Sequence, residues 1–486
     1  MLFNSIEFAI FLPISFLVFW FLLPRKSVNY QNLFILSISY LFYGWWDYRF
    51  LSLIIISSSA DFFIGKAISN NSKSTQRKLL LFLSILINLG LLGFFKYYNF
   101  FVDSFIDLSN SLGLHAHPRT LNIILPVGIS FYTFQTLSYT IDIYRKRFKP
   151  TNNWIAFFAF VSFFPQLVAG PIERASNLLP QFYKITKFDY KVAISGMRII
   201  LWGLFKKIII ADTCASIVDV IFEHYTGFNG SALLLGAFFF AFQIYGDFSG
   251  YSDIAIGTAK LFGFNLNINF NLPYFSRNIG EFWHRWHISL STWFKDYVYF
   301  PLGGSKVPKL KQVRNILITF TVSGLWHGAN WTFVAWGFLN GLYYFPLIFF
   351  KKNKNLTSVI AENSILPSIK ELFQLFLTFS LTLIAWIFFR SDSITDAFNY
   401  LRIIFSESLF QNPLPLLRGK GITDSLIDGS IAIIILLIFE WVNRKKDFPF
   451  YLDKLPKIIR WIIYWLIAFF MLFYFGEEKT FIYFQF

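Results

Sequence analysis

Apolar runs recur along the whole chain, near residues 7–23, 32–46, 50–65, 79–95, 121–140 and 154–170, and again near 191–222, 232–263, 312–326, 330–350, 371–389, 428–443 and 458–476. A membrane-crossing helix needs roughly 17–25 such residues. In lipid, every backbone polar group must be satisfied within the fold itself. The pattern therefore predicts an all-α, polytopic integral membrane protein. Some runs are short or carry polar residues, so the expectation is about ten to thirteen transmembrane or re-entrant helices. Composition agrees: 55% of the 486 residues are hydrophobic and 14% charged, against about 25% charged in soluble domains. A water-soluble core cannot hide that much apolar surface, which makes the lipid bilayer the solvent of the outer faces.

The formal charge of +16 does not indicate nucleic acid, because the cations fall in short clusters between apolar runs, as juxtamembrane charges do. Arg25 and Lys26 follow the first run, Lys66, Lys73, Arg77 and Lys78 the third, and Arg145, Lys146, Arg147 and Lys149 the fifth. Lys351, Lys352 and Lys354 form another cluster, and Arg444, Lys445 and Lys446 the last. Positive loops stay in the cytoplasm, so the N-terminus is expected outside. Residues 1–7 contain no Lys or Arg, so the first run is read as a retained span and not a signal peptide. Cys214 is the single cysteine, which excludes intrachain disulfides and thiolate metal clusters. With no tandem repeat and no flexible linker, residues 1–486 are expected to form one transmembrane domain.

Polar groups at membrane depth are costly and by default mark a functional interior. Four stretches stand out. In 125–135, Pro126, Gly128, Ser130 and Gln135 interrupt an apolar run; a kinked helix packed through small residues and a substrate path both fit. In 164–174, two prolines and Gly170 end a helix, and Glu173 and Arg174 follow as an ion pair or an anion site. In 243–253, Gly246 and Gly250 have the spacing of close helix packing, and Gln243, Asp247 and Gly250 share one face that cannot comfortably meet lipid. Ser249 there is not in a nucleophile-elbow frame.

The fourth stretch, 281–299 with 323–331, holds His284, His287 and His327 among Trp283, Trp286, Trp293, Trp326 and Trp331. A neutral imidazole within the membrane can act as a general base; a satisfied structural histidine is the alternative. His284 and His287 have the spacing of a metal pair, but no third ligand is well placed and no metal is expected. His287 and Asp296 would fall on opposite faces of one continuous helix, so a direct dyad would need a break between them.

These stretches resemble the membrane-bound O-acyltransferase family, specifically its bacterial alginate O-acetyltransferase branch. The matching segments are 125–144, 164–174, 243–264, 286–299 and 325–340, together with the opening 1–5 and the aromatic cluster 40–46. The resemblance implies a ring of helices around a funnel-like centre, in a bacterial plasma (inner) membrane. It implies that His327 is the family's signature histidine, that His287 is the second, and that Asp296 matches a nearby polar position. His284 stands where relatives often carry Arg, which sets it apart. Trp286, Ser289, Asp296, Trp326 and Asn330 are expected to bind substrate around the catalytic His327 and His287.

The implied chemistry is acyl transfer with no bound cofactor. Acetyl-CoA or another acyl thioester would serve as donor from the cytoplasmic side. An extracytoplasmic acetyltransferase partner would complete transfer to a polysaccharide acceptor. D-alanyl transfer to teichoic acid from a carrier protein is one alternative; a transporter or flippase without covalent chemistry is another.

Overall fold

The computed structural model describes residues 1–24, 26–114, 118–350, 358–446, 448, 450–474, 479 and 481–482. Arg25 and the basic cluster of Lys351, Lys352 and Lys354 lie outside the described residues. Among the described residues the regular elements are all helical. Six segments among the described residues are long and apolar enough to cross a membrane: Val28–Asn70, Ser74–Ser111, Gly230–Leu261, Trp331–Phe349, Ile369–Arg390 and Thr423–Val442; Ile6–Leu22 is a shorter apolar helix. The chain divides into two compact units, Met1–Gly196 with Thr258–Asn267, and Met197–Gly257 with Ile268–Phe486.

The principal helices of the first unit are α1 (Ile6–Leu17), α2 (Val28–Asp47), α3 (Leu51–Asn70), α4 (Ser74–Leu92), α5 (Tyr98–Ser111), α6 (Ile129–Tyr144) and α7 (Trp154–Ser162). Ser5 caps α1 by accepting from Phe8 N, and Ser27 caps α2 by accepting from Asn29 N; each side chain satisfies one orphan amide of a first turn. Helices α3, α4 and α6 pack on one another.

Two apolar runs behave differently from the expectation. Residues 121–140 are not one kinked span: Pro126 precedes a left-handed Gly128, and the helix begins only at Ile129. Residues 154–170 break at Phe163 into α7 and a single turn, Phe164–Leu167. The nine residues of α7 rise about 14 Å, too little to cross a hydrocarbon core of about 30 Å. The break frees the Phe160 carbonyl and the Phe164 amide. Gln135 Nε2 and Gln166 Nε2 donate to that carbonyl at 3.0 and 3.1 Å, and the amide donates to Ser39 Oγ at 3.1 Å. The out-of-place glutamines of the sequence thus satisfy a broken helix.

The second unit contains α8 (Tyr190–Leu204), α9 (Asp212–Glu223), α10 (Gly230–Leu261), α11 (Ile279–Arg285), α12 (Ile288–Phe294), α13 (Lys309–His327), α14 (Trp331–Tyr343), α15 (Ile369–Arg390), α16 (Thr423–Val442) and α17 (Lys457–Phe473). The first residues of α8 and the last of α10 belong to the first unit. Between α8 and α9 the chain winds as a π-helix, Phe205–Ala211, that buries Lys206 and Lys207. Helix α10 neutralises both: Lys206 pairs with Asp253 at 2.7 Å and donates to Ser249 Oγ at 2.9 Å, while Lys207 pairs with Asp247 and with Asp212, each at 2.8 Å. The face of Gln243, Asp247 and Gly250 is buried, as its polarity required. A Cβ at Gly250 would lie 2.7 Å from the Gly203 carbonyl oxygen, so only glycine permits this approach of α10 to α8.

Candidate active site

Helices α11 and α12 meet at a sharp turn, and His287 sits at its apex. Its backbone is left-handed, with φ +43° and ψ +55°, a conformation non-glycine residues rarely adopt. The turn is pinned from outside. Ile288 N donates to the Asn269 carbonyl at 2.9 Å, and Asn271 N donates to the Arg285 carbonyl at 2.9 Å. Asn269 Oδ1 accepts from Ser289 N at 3.2 Å and from Ser289 Oγ at 2.9 Å. The turn falls at His287 itself, ahead of α12, so it is not a break between His287 and Asp296, and the chain from Ile288 to Asp296 stays helical. A second irregularity follows, because Asp296 lies on a π-helical turn, Lys295–Tyr299, at a half-buried position.

His327 is the last residue of α13. It therefore stands at a helix end, not within a span. Gly328 then runs extended, and Asn330 caps α14 by accepting from Thr332 N. A Cβ on Gly328 would collide with the ring of Phe333, so the α13–α14 turn that ends on His327 has room only for glycine.

The two helix ends bring the imidazoles together. Their ring centroids are 6.3 Å apart with 60° between the planes. Both residues are buried, at 0% and 3% exposure. The walls are aromatic. Phe248 meets His287 edge-on at 4.5 Å. Trp336 meets His327 at 5.0 Å and Phe389 meets it at 5.5 Å. Trp326 touches both, at 6.0 Å from His287 and 5.0 Å from His327. Trp386 stacks on Trp336 at 5.8 Å and packs on Trp286 at 5.0 Å. Such surroundings exclude water and strengthen any charge interaction made inside.

A cavity of about 290 Å³ lies along the same hairpin, lined among others by Trp283, His284, Ile288, Ser291, Lys295 and Ser323. It combines an apolar wall with hydroxyls and two basic groups. His284 itself is exposed while His287 is enclosed, so the i, i+3 pair is divided between surface and interior.

The expected site residues thus separate by position. His287, His327 and Trp326 adjoin one another. Trp286 backs the aromatic wall. Ser289 bonds to Asn269, and Asn330 holds a helix start while donating to the Asp392 carbonyl at 3.0 Å. Sequence reasoning missed Phe248, Asn269, Trp336, Trp386 and Phe389. Only Asn269 left a trace, as one of the alternating Asn265, Asn267, Asn269 and Asn271 in an otherwise apolar connection.

A model of the membrane-bound O-acyltransferase family matches residues 151–385, which include both histidines. The chain is similar to the probable alginate O-acetylase AlgI of Pseudomonas aeruginosa, with 39% identity over 461 residues, 94% of this chain and 84% of that one. It is 35% identical over 430 residues to the peptidoglycan O-acetyltransferase of Helicobacter pylori, covering 83% of this chain and 79% of that protein. The teichoic acid D-alanyltransferase of Bacillus subtilis matches at 30% over 245 residues, 49% of this chain and 62% of its own. Together with the helical fold, these matches define a multi-pass membrane acyltransferase. Within that class, the chain belongs to the membrane-bound O-acyltransferase family.

Proposed function

We propose that the protein transfers an acetyl group from a cytoplasmic thioester, such as acetyl-CoA, towards O-acetylation of an extracytoplasmic polysaccharide. It would act as one transmembrane domain in the inner membrane, with its N-terminus outside. The 6.3 Å approach of His287 and His327 carries this reading. At that separation both imidazoles reach one small reacting group between them. His327 takes the proton of the acceptor hydroxyl as its oxygen attacks the thioester carbonyl. The thiolate leaves, and the proton on His327 passes to it. His287 and the Trp326 indole lie where a donor can steady the oxyanion. The cavity lined by Ser291, Lys295 and Ser323 is the place for the donor's polar arm.

Donor and acceptor belong to different compartments, and a buried site removes the need to carry the whole donor across. An extracytoplasmic acetyltransferase partner would pass the group to the glycan; a polysaccharide acceptor is in keeping with the names of the Pseudomonas and Helicobacter relatives. The test is acetyl release from labelled donor by membranes carrying His327→Ala, with protein level checked. Near-normal transfer would overturn the assignment. Wild-type membranes offered a D-alanyl carrier protein in place of acetyl-CoA separate this reading from D-alanylation.

A further inference from the structure

Asp61 sits at the middle of α3, within the apolar segment Val28–Asn70, and is 0% exposed. Its carboxylate accepts from Ser84 Oγ at 2.6 Å and from Asn88 Nδ2 at 2.7 Å, both on α4. The network widens through neutral groups. Ser84 Oγ lies 2.9 Å from Thr140 Oγ1 of α6, and Thr140 Oγ1 donates to the Leu137 carbonyl at 3.1 Å. Asn88 Oδ1 accepts from Ser57 Oγ at 2.8 Å and from Thr136 Oγ1 at 3.1 Å. Every one of these side chains is buried.

Among the described residues no Lys, Arg or His pairs with Asp61. The side chains that α4 turns towards it are Ser84 and Asn88, both neutral. Helix α6 adds Thr136, Thr140 and the phenol of Tyr139, whose oxygen accepts from Thr151 N at 3.1 Å. Helix α7 carries no ionisable side chain. On α3 itself, the ammonium of Lys66 lies over the Phe62 ring, 4.3 Å from its centroid. A bare carboxylate at mid-membrane without a counter-ion is among the costliest arrangements a helix bundle can hold.

We propose that Asp61 is a proton-binding site within the membrane and that the hydroxyl chain Ser84–Thr140 is built to accept its proton. With Asp61 protonated, the carboxyl donates to Ser84, Ser84 donates to Thr140, and Thr140 keeps its bond to the Leu137 carbonyl, so every donor and acceptor along the chain is used. Loss of the proton reverses the Ser84 hydroxyl and leaves a full charge between three helices. The geometry favours a proton over a metal ion. Asn88 turns its NH₂ and not its oxygen to the carboxylate, and the oxygens already sit at hydrogen-bond distances from one another. This site is independent of the histidine pair and of the proposed reaction.

The test uses the purified full-length protein in detergent, as wild type and as Asp61→Asn. Thermal midpoints are measured from about pH 5 to about pH 9, in sodium and in choline chloride. The expected result is a wild-type midpoint that falls with rising pH by about 2–4 °C or more relative to Asp61→Asn, equally in both salts. Matching pH profiles for the two proteins would overturn the proposal. Stabilisation by sodium alone that disappears in Asp61→Asn would also overturn it, in favour of a metal ion. If Asp61→Asn does not accumulate, infrared spectra of wild type and Ser84→Ala decide. A protonated carboxyl band that shifts when Ser84 is removed supports the site, and no such band overturns it.

Discussion

The imidazoles of His287 and His327 approach to 6.3 Å although each closes a different helix junction. One stands where α11 turns into α12, the other where α13 turns into α14. Loss of His327 to alanine is expected to lower transfer by about 10²–10⁴, the usual contribution of a general base, with membrane insertion intact. His287→Ala should be severe yet keep residual activity if that ring positions and polarises. His284→Ala should be milder than either, because His284 lines the donor cavity and lies outside the enclosed imidazole pair. A dead His284 variant would instead revive the His284–His287 metal pair and call for metal analysis.

The turn that ends on His327 should be intolerant of a single methyl group. A Cβ at Gly328 meets the Phe333 ring, and Phe333 in turn packs on Phe389 at 4.9 Å, one of the rings around His327. Gly328→Ala is expected to displace the imidazole and lower the transfer rate at least tenfold, because misplacement of about 1 Å can cost about 10²-fold. Gly328→Ala paired with Phe333→Leu should recover part of the rate. No recovery in the pair would show that the clash is not the cause.

The buried lysine pair makes an ordering testable. Removing one partner of a buried ion pair costs about 3–5 kcal/mol. Lys207→Met leaves both Asp247 and Asp212 unpaired, whereas Asp247→Asn leaves Lys207 its bond to Asp212. Lys207→Met should therefore be the more damaging, read as the lower thermal midpoint of purified protein or the lower yield in membranes. The reverse order would mean that Lys207 is not the hub of this network.

Cysteine labelling tests the orientation. Cys214 is buried, so new cysteines report without background. Ser72 and Asn152 are exposed and flank the basic clusters that follow the third and fifth apolar runs. Both should resist an impermeant reagent in intact cells and react after lysis. Ready labelling of both from outside would place the N-terminus in the cytoplasm.

Much of this molecule is legible in the order of its residues, and the rest fails for identifiable reasons. The unbroken run 371–389 becomes α15 almost residue for residue, and 428–443 becomes α16 with an earlier start at Thr423. The face of Gln243, Asp247 and Gly250 announces its burial by polarity alone. The break at Phe163 is harder, because the groups that satisfy it, Ser39 and Gln135, come from other helices. Lys206 and Lys207 hide inside an apolar run; Asp212 is a local acid for Lys207, but nothing local tells that α10 supplies Asp253 and Asp247. The histidines are visible because imidazole and tryptophan are rare and clustered. Their enclosure by Phe248, Trp386 and Phe389 is not, since an ordinary core aromatic and a site wall look alike until distant segments meet.

A histidine held in left-handed backbone geometry keeps a conformation that glycine or asparagine would adopt with less strain. Positions of this kind carry a penalty of about 1–3 kcal/mol. Selection for a sturdier protein alone would therefore replace His287 and leave Asn269 holding a relaxed turn. His287→Asn is expected to keep the turn with less backbone strain and to transfer far less than wild type. The residue is best understood as a standing compromise, in which the enzyme is less durable at the point where it is most useful.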